Sequence, residues 1–428
     1  MKTLTLRSLF ALPILSLLFF RLNAVVGALV NNLGAVRMVQ ESYGVVATIP
    51  RCIPFVDRSE AQDYFERSLH LWKQNTRAWF NLGRSLWLEG DCERALTIWQ
   101  YSAELAPYDV INQWAIANAF YAMGARIQAL ALYQSLNTAE YFTGLGQQIE
   151  KRGLSEESIE AYELSIAIRP TRKAIQGVSG LYVRMGEPEK AIAAWRKLLS
   201  VTSETQPDHW WARGQIAELE RDWERALSAY QRAISLEKDR YFLYLLYTRA
   251  GAVSQEQKDY VTARRYFEAA AEINPSMWAY LHLGFLEQQQ KRYDQALQWY
   301  QQANEVYPQS EWPEYYQGVL FWERGEKDRA MEFFIQAETQ NPNNASVKFY
   351  LGLASYEAGD LSQAVDRLEQ AIELYQGRPI YWMKLLGDWQ TQAGRCAEAI
   401  ATYRQILLWQ PDNKDIQQQL EKVQQECK

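Results

Sequence analysis

The sequence has 428 residues, of which 48% are apolar and 13% aromatic, including 16 Trp and 26 Tyr. A chain with this much apolar surface folds along most of its length and is not disordered. Its 45 Lys and Arg against 51 Asp and Glu give a net charge of −6, and without a long basic run a nucleic-acid partner is not indicated.

The chain begins with the layout of an export signal. Lys2 and Arg7 precede an apolar run over residues 9–20, Arg21 interrupts the run, and residues 22–30 resume it. The first run is shorter than the roughly 20 apolar residues that cross a bilayer. Both runs together are long enough, although Arg21 near the middle would cost about 2.5–3.5 kcal/mol.

A buried helix of the solenoid is disfavoured for this segment, because the face opposite the core would also be apolar. Two interpretations remain open. The first is an uncleaved signal anchor in residues 1–30, which enters the membrane through residues 9–30, and we favour it because no cleavage site is sharp. The second is a signal peptide cleaved after Ala24 or Ala28. Both place the rest of the chain on the extracytoplasmic side, as a single-pass membrane protein in the first case and a secreted or periplasmic protein in the second.

After this segment the sequence repeats with a period near 34 residues. One set of small residues recurs at Gly83, Ala117, Gly146, Ser179, Gly214, Gly251, Gly284, Gly318, Gly352 and Gly387. A second set follows 12 positions later, at Ala95, Ala129, Ser158, Ala191, Ala226, Ala263, Ala296, Ala330, Ala364 and Ala399. Proline recurs near the end of the unit, at Pro107, Pro170, Pro275, Pro308, Pro342 and Pro411.

These positions resemble the tetratricopeptide repeat closely, and the stretch from Ala78 to Pro107 is the clearest copy. The resemblance implies about ten repeats of two antiparallel helices, A and B, with the small residues at positions 8 and 20 and the proline at position 32. We therefore predict an all-α fold, a right-handed α-solenoid of about ten helix pairs. The predicted organisation is a connector over residues 31–57, the solenoid over 58–411 and a polar C-terminal capping helix over 412–428.

Packing physics accounts for the same residues independently of the resemblance. A glycine inside a helix costs roughly 0.5–1 kcal/mol relative to Ala, so the glycines at position 8 indicate a close approach of helices A and B. Proline cannot continue helix B and ends it. Glycines that can adopt a positive φ mark the turn after helix A, at Gly90, Gly124, Gly153, Gly186, Gly325, Gly359 and Gly394. Large side chains are predicted to fill the seam between units, at Trp99, Tyr133, Tyr162, Trp195, Tyr230, Phe267, Tyr300, Phe334 and Tyr403.

In the tetratricopeptide family, helix A lines a concave groove, and repeat positions 2, 5, 9 and 12 point into it. In the seventh to ninth repeats these positions form an aromatic stripe that we predict to bind a partner, through Trp278, Phe285, Trp312, Tyr315, Trp322, Phe349 and Tyr356. A smaller predicted cluster in the first two repeats comprises Phe80, Trp87, Trp114 and Tyr121. The groove between them is polar, with Glu140, Thr143, Gln147, Glu150, Lys173, Gln176 and Gln215. The alternative for the aromatic side chains is burial in the core, whereas an exposed patch of this size marks a binding surface.

The predicted function is that of a membrane-tethered scaffold, which binds a partner protein or extended peptide in this groove and assembles a complex at the cell envelope. The family's carboxylate clamp for chaperone tails needs Lys and Asn where this chain has Phe80 and Arg84, so chaperone tails are disfavoured. The competing hypothesis is an accessory subunit of an envelope polysaccharide or glycan pathway, in which groove Trp and Tyr residues stack on sugar rings.

The sequence lacks the motifs that would predict an enzyme. The sequence has no phosphate-binding glycine loop, no nucleophile elbow, no His-Glu-x-x-His and no Cys-x-x-Cys. Its three histidines, His70, His209 and His282, fall in different repeats. We therefore expect no catalytic residue, no cofactor and no metal site.

The four cysteines are candidates for two disulfides, one at each end of the solenoid. Cys92 and Cys396 both occupy repeat position 17, in the first and last full repeats. In the tetratricopeptide arrangement the capping helix brings Cys427 beside Cys396, and we favour this pair. Cys52 with Cys92 is the weaker prediction, because the sequence does not fix the path of the connector. Four reduced thiols are the alternative, which an exported protein makes less favourable.

Overall fold

The computed structural model describes residues 24–33, 35, 50–52 and 60–426, and every regular element among them is an α-helix. Residues 24–33 are helical, and the helices after them are numbered α1 to α22. Their bounds are α1 Ala61–Leu71, α2 Thr76–Leu88, α3 Cys92–Leu105, α4 Val110–Ala122, α5 Arg126–Ser135, α6 Ala139–Glu150, α7 Ser155–Ile168, α8 Arg172–Arg184, α9 Pro188–Leu199, α10 Pro207–Leu219, α11 Trp223–Leu236, α12 Arg240–Glu256, α13 Tyr260–Ile273, α14 Met277–Gln289, α15 Tyr293–Val306, α16 Trp312–Glu323, α17 Lys327–Gln340, α18 Ala345–Glu357, α19 Leu361–Leu374, α20 Ile380–Gln392, α21 Cys396–Trp409 and α22 Lys414–Glu426.

The described residues form two compact units. Unit 1 comprises the residues up to Ile149 together with Glu156–Pro170, and unit 2 comprises Glu150–Ser155 and the residues from Thr171 onward. Within each unit a helix packs mainly against its neighbours along the chain, as the helices of a solenoid do. Helices α2 to α21 are ten A–B pairs, so the predicted all-α fold of repeated helix pairs is confirmed.

The turn from helix A to helix B has the same backbone conformation throughout the array. Seven turns contain a glycine whose φ lies between 70° and 83°, at the positions predicted from the sequence. The other three contain Arg221, Lys258 and Lys291, with φ of 58°, 61° and 60°. A side chain in this left-handed region costs roughly 1–2 kcal/mol. Because these three turns use Arg or Lys in place of glycine, the sequence does not mark them.

The ends of the B helices follow the proline positions. Pro107 lies two residues after the end of α3 at Leu105, and Pro411 lies two residues after the end of α21 at Trp409. The four other prolines of the set have the same spacing. Proline therefore ends helix B as its missing N–H group requires.

The seam between helices A and B explains the glycines at position 8. A Cβ atom on Gly284 would lie 2.4 Å from the ring of Tyr300, and one on Gly83 would lie 2.5 Å from the ring of Trp99. Gly352 differs, because its seam partner is Leu368 and its nearest neighbour is a backbone oxygen at 3.3 Å. The aromatic seam residues therefore occupy the space that a side chain on helix A would need.

Several seam tyrosines also hold helix A through their hydroxyl groups. Tyr300 donates to Oε1 of Gln288 at 2.7 Å, and Tyr403 donates to Oδ1 of Asp388 at 2.7 Å. The acceptors lie on helix A, at positions 9 and 12 of the repeat. A seam side chain thus fixes polar groups on the face that the family uses as its groove.

Residues 24–33 pack against the first helices of unit 1. The hydroxyl of Ser68 donates to the carbonyl of Gly27 at 2.7 Å, and Nδ2 of Asn81 donates to Oδ1 of Asn31 at 3.0 Å. Gly27 and Asn31 lie one helical turn apart, so one face of this segment is docked on α1 and α2.

The opposite face of residues 24–33 is apolar and exposed. Val25 is 58%, Leu29 58% and Leu33 60% exposed. No helix within the described part of the chain combines the length and the apolarity that a bilayer crossing demands. Residues 1–23, which include most of the predicted anchor, lie outside the described residues.

At the other end, α22 covers the last repeat. Its Ile416 and Val423 are buried in a cluster with Tyr403 and Ile406 of α21. The rest of the helix is largely polar, with the sequence Lys-Asp-Ile-Gln-Gln-Gln-Leu-Glu-Lys-Val-Gln-Gln-Glu. One apolar stripe and one polar face are what a terminal cap needs.

A disulfide joins Cys52 to Cys92, with their Cα atoms 6.0 Å apart. It ties residues 50–52 of the connector to the start of α3. Cys396 is also disulfide-bonded, and no described cysteine is free. Cys427, its predicted partner, lies outside the described residues.

Unit 2 also contains one contact between residues far apart in the sequence, which we name the closing contact. The amide of Arg378 donates to the carbonyl of Arg184 at 3.0 Å, and Nε of Arg184 donates to the carbonyl of Gln376 at 3.0 Å. The Arg184 guanidinium also pairs with Glu150 at 2.5 Å, and Arg378 pairs with Glu187 at 3.3 Å. The loop between α19 and α20 is thereby held against the C-terminal end of α8.

Candidate functional site

The predicted aromatic stripe lies on α14, α16 and α18 of unit 2. Trp278 and Tyr356 are its most exposed members, at 42% and 36%. Trp312, Tyr315 and Trp322 are half-buried and pack against the core of these repeats. The stripe is therefore neither free surface nor core, because each of its side chains is partly exposed and partly packed.

Ring contacts link the stripe from one repeat to the next. The rings of Trp278 and Trp312 are 5.4 Å apart, and Trp312 contacts Tyr315 edge to face at 5.6 Å. Trp322 contacts Tyr350 at 6.0 Å. Such pairs add about 0.5–1.5 kcal/mol beyond the buried area, so these rings stabilise the array as well as line its surface.

Phe285 and Phe349 complete the predicted stripe and are half-buried. Phe285 contacts Tyr316 at 6.2 Å, and Phe349 stacks on Trp382 of the following repeat at 4.8 Å. Both rings are therefore partly engaged in packing within the protein and partly exposed.

The smaller predicted cluster lies in unit 1, and three of its four members are half-buried. Phe80 and Trp87 contact the ring of Trp99 at 6.3 and 5.7 Å. Trp114 contacts Tyr141 edge to face at 4.8 Å. These rings have exposed edges, as those of the larger stripe do.

Tyr121, the fourth member, requires a correction, because it is only 7% exposed. Its hydroxyl donates to Glu160 at 2.8 Å, and the guanidinium of Arg126 lies 3.6 Å from its ring centroid. Burial and the Glu160 carboxylate raise its pKa to about 12. A side chain enclosed in this way offers no surface to a partner, and the prediction for Tyr121 is wrong.

The structure places a cavity of about 480 Å³ in the polar part of the groove, between α8, α10 and α12. Its walls include groove positions of three successive repeats, among them Gln176, Trp211, Gln215 and Thr248. Arg249 also lines it. The sequence singled out Gln176 and Gln215 for the polar groove, but not the cavity between them.

A hydrogen-bonded network forms one wall of this cavity. The fully buried hydroxyl of Tyr230 donates to Oε1 of Glu218, and Nε2 of Gln215 donates to the Tyr230 hydroxyl at 2.6 Å. Nη2 of Arg249 donates to Oε1 of Gln215 at 3.2 Å and lies 3.5 Å from Oε2 of Glu218. The network spans helices α10, α11 and α12.

In this network, burial and neighbouring charge have opposite effects on the pKa of Glu218. Burial raises the pKa of the Glu218 carboxyl above its ordinary value, while Arg249 and the Tyr230 hydroxyl act in the opposite direction. Glu218 occupies position 12 of its repeat, so the groove rule would have found it. Arg249 occupies position 6, outside that rule, and only its long side chain brings it to the cavity.

The three histidines do not form a catalytic or metal-binding cluster in the described part of the chain. His70, His209 and His282 lie on α1, α10 and α14. His282 stacks on Phe267 with ring centroids 5.1 Å apart, which is a packing role. Within the described residues no group of His, Cys, Asp and Glu has the arrangement of a metal site.

Sequence comparison agrees with the repeat. Two family models, both described as tetratricopeptide repeat, match this chain over residues 57–110 and 181–240 and over residues 255–318 and 321–388. Together these matches cover more than half of the chain. No curated protein matches the sequence.

Among solved structures, the crystal structure of the yeast Tom70 is similar, with a TM-score of 0.47 and 16% identity over 94% of this chain and 89% of that chain. The APC/C hetero-tetramer Cut9-Hcn1 is similar with a TM-score of 0.36 and 15% identity over 86% of each chain. At these scores neither likeness bears on function. The period of the sequence, the ten helix pairs and the two family matches show that the chain belongs to the tetratricopeptide repeat family.

Proposed function

We propose that this protein is a membrane-tethered scaffold, which binds an extended segment of a partner protein in its groove and assembles a complex at the cell envelope. The observation that carries the proposal is the aromatic stripe on α14, α16 and α18. Its rings remain partly exposed at groove positions of three successive repeats. An extended peptide contacts such a surface at regular intervals, and buried aromatic anchors dominate binding at protein interfaces.

A glycan is a weaker candidate for the same surface. Sugar rings stack on free aromatic faces, but Tyr356 already stacks on Trp389 at 4.7 Å with the planes inclined by 8°. The ammonium of Lys327 lies 3.2 Å from the ring centroid of Trp322. Exposed edges with occupied faces suit side chains and backbone of a peptide better than pyranose rings.

The docking of residues 24–33 supports an uncleaved anchor. Cleavage after Ala28 would cut this helix and remove Gly27, whose carbonyl accepts the buried hydrogen bond from Ser68. Toward the N-terminus, the sequence before this helix includes the apolar run of residues 9–20. Because residues 24–30 are docked on α1 and α2, the tether would rest on the residues before them and would hold unit 1 close to the membrane.

The Cys52–Cys92 disulfide supports an extracytoplasmic location, because disulfides persist in oxidising compartments. A single-pass protein with the helical array on the extracytoplasmic side would account for both the disulfide and the docked helix of residues 24–33. A secreted or periplasmic form would result if the segment were cleaved.

Site-specific photocrosslinking tests the proposed groove. A photoreactive residue at Trp278, in membranes of the source organism, should give one discrete protein adduct, whereas the same residue at Leu408, which is 74% exposed, should not. The adduct should disappear in the Trp312→Ala, Trp322→Ala double variant while helicity remains. Equal crosslinking from both positions, or an adduct that persists in the double variant, would show that the stripe is not a binding surface.

Carbonate extraction of membranes tests the tether separately. An apolar anchor keeps the chain in the membrane pellet, since neither salt nor high pH displaces a spanning helix. Recovery of a soluble mature chain that begins near Val25 or Leu29 would show that the segment is a cleaved signal peptide.

A further inference from the structure

The cavity between α8, α10 and α12 differs from the aromatic stripe in kind. Its walls combine apolar side chains, including Trp195, Leu219 and Trp223, with the network of Gln215, Glu218 and Arg249. A mostly apolar recess with a few fixed polar groups is the usual form of a specificity pocket. It lies on the face that the proposed function assigns to a partner segment.

The network holds the Arg249 side chain in place without engaging all of its hydrogen-bond donors. Its guanidinium contacts Gln215 and Glu218 through Nη2 and also pairs with the Tyr230 hydroxyl, so its five N–H groups outnumber these three partners. Its side chain is 42% exposed. It lines both the cavity and an adjacent one of about 510 Å³. The guanidinium therefore offers oriented donors to whatever enters.

The charges around the cavity balance. Arg249 is the only cation and Glu218 the only anion among the residues that line it. The adjacent cavity adds Arg221 and Glu256, again one of each sign. A carboxylate entering the cavity would meet Glu218 without a second cation, and an ammonium group would meet Arg249 without a second anion. Burying an unpaired charge is costly, so a neutral group is favoured.

A neutral group must also match the polar atoms that face it. Arg249 needs an acceptor, while the carboxylate of Glu218 and the exposed side chain of Gln176 accept from a donor. A primary amide supplies a carbonyl oxygen and N–H groups together. Its short aliphatic stem suits the apolar walls.

We infer that this cavity receives the side-chain amide of an Asn or Gln residue in the bound segment, with its carbonyl oxygen on Arg249 and its N–H groups toward Glu218. The inference rests on the proposed function, because it assumes that a peptide occupies the groove. On this inference the cavity determines which peptide sequences bind, whereas the aromatic stripe contributes affinity that depends less on the peptide sequence.

The test uses the full chain in detergent micelles and a phage-displayed library of random dodecapeptides as the probe. Peptides selected by the wild-type protein should converge on Asn or Gln at one position. Changing that residue to Glu, Lys or Met in a synthetic peptide should weaken binding by at least about tenfold, since a buried donor is left unpaired.

Two variants of the protein separate a binding role from a structural one. Arg249→Met with Glu218→Gln removes both charges together, and Gly180→Leu fills the cavity without touching the network, because only a terminal atom of Arg184 lies within 4 Å of a Cβ there. Both should abolish the preference for Asn or Gln. Arg265→Met, at an exposed position on α13, should preserve it.

The outcomes distinguish this inference from the proposed function. An acidic residue at that position of the selected peptides would overturn the inference. So would a selection that both cavity variants leave unchanged. In either case the proposal that the groove binds a peptide would stand. Failure to select any binding peptide overturns both. Binding to oligosaccharides on a glycan array that Gly180→Leu abolishes would overturn the inference in favour of a glycan.

Discussion

Tyr162 lies across the backbone of Gly146, where a Cβ atom would come within 2.8 Å of the ring. Gly144, two residues earlier on the same helix, has nothing within 4 Å of its Cβ position. The two glycines therefore share a helix and differ only in what faces them. Substitutions at the two positions therefore distinguish the packing role of the seam from the low helix propensity of glycine.

Gly146→Ala should destabilise the protein by about 1–3 kcal/mol, because the added methyl group overpacks the seam. Gly144→Ala should instead stabilise it by roughly 0.5–1 kcal/mol, since alanine is the better helix former. Urea denaturation followed by circular dichroism measures both. Changes of the same sign in the two variants would contradict the role of the seam.

The non-glycine turns are expected to carry strain that glycine would relieve. Lys291→Gly should stabilise the protein by up to about 1 kcal/mol, because Lys291 has a φ of 60°. The reverse change, Gly325→Ala, should cost a similar amount, although nothing lies within 4 Å of a Cβ at Gly325. Thermal melting of the two variants checks this, and an unchanged midpoint for both would show that the turn conformation is not strained.

Removal of the Cys52–Cys92 disulfide should lower stability by about 2–4 kcal/mol, since it closes a loop over a sequence separation of 40 residues. The matched pair is wild type and the Cys52→Ser, Cys92→Ser variant, both kept free of reductant so that the bond of Cys396 is retained. Denaturation monitored in the first repeats is the measurement. Superimposable transitions would show that the bond adds nothing to the folded state.

The stability of unit 2 should depend on pH through His282. Burial, with a smaller effect of Arg249, lowers the pKa of His282 to about 4, whereas an unfolded histidine titrates near 6.5. Between these values the unfolded chain binds more protons, so the free energy of unfolding rises with pH. The contribution is complete above about pH 6.5 and is lost as the pH falls toward 4, on the order of 3 kcal/mol.

His282→Phe removes this titrating group and keeps an aromatic ring against Phe267. The slope of stability between pH 4 and 6.5 should then decrease by the part that His282 contributes. Because the chain has only three His, NMR titration can follow each imidazole. An ordinary pKa for His282 in the folded protein would contradict the expectation.

The fold could be predicted because each repeat presents the same packing problem. Glycine at position 8 and an aromatic residue in the seam occur together in most repeats, with Ala117, Ser179 and Leu368 among the exceptions, so the helix pairs follow from spacing. Lys258 and Lys291 escaped the prediction because nothing in their side chains indicates a positive φ. Local geometry was thus predictable where the residue type itself encodes it.

The candidate site was only partly predictable. The groove rule found Gln176 and Gln215, but it assigns positions and not depth, so it placed the buried Tyr121 on the surface. Arg249 was missed because it reaches the cavity from a position that the rule counts as outside the groove. Contacts that depend on side-chain length and on neighbouring repeats do not appear in a single repeat's pattern.

The closing contact between Arg184 and Arg378 has a consequence for how unit 2 unfolds. In an open array, repeats interact only with their nearest neighbours, so opening spreads gradually from the ends. A hydrogen bond between residues whose positions differ by about two hundred couples the repeats between them, because opening any of them also releases this bond. Hydrogen exchange from α8 to α20 should therefore show one shared opening free energy. Gly377→Val, which would place a Cβ 2.5 Å from the carbonyl oxygen of Arg184, should divide that single cooperative unit into a graded series of openings.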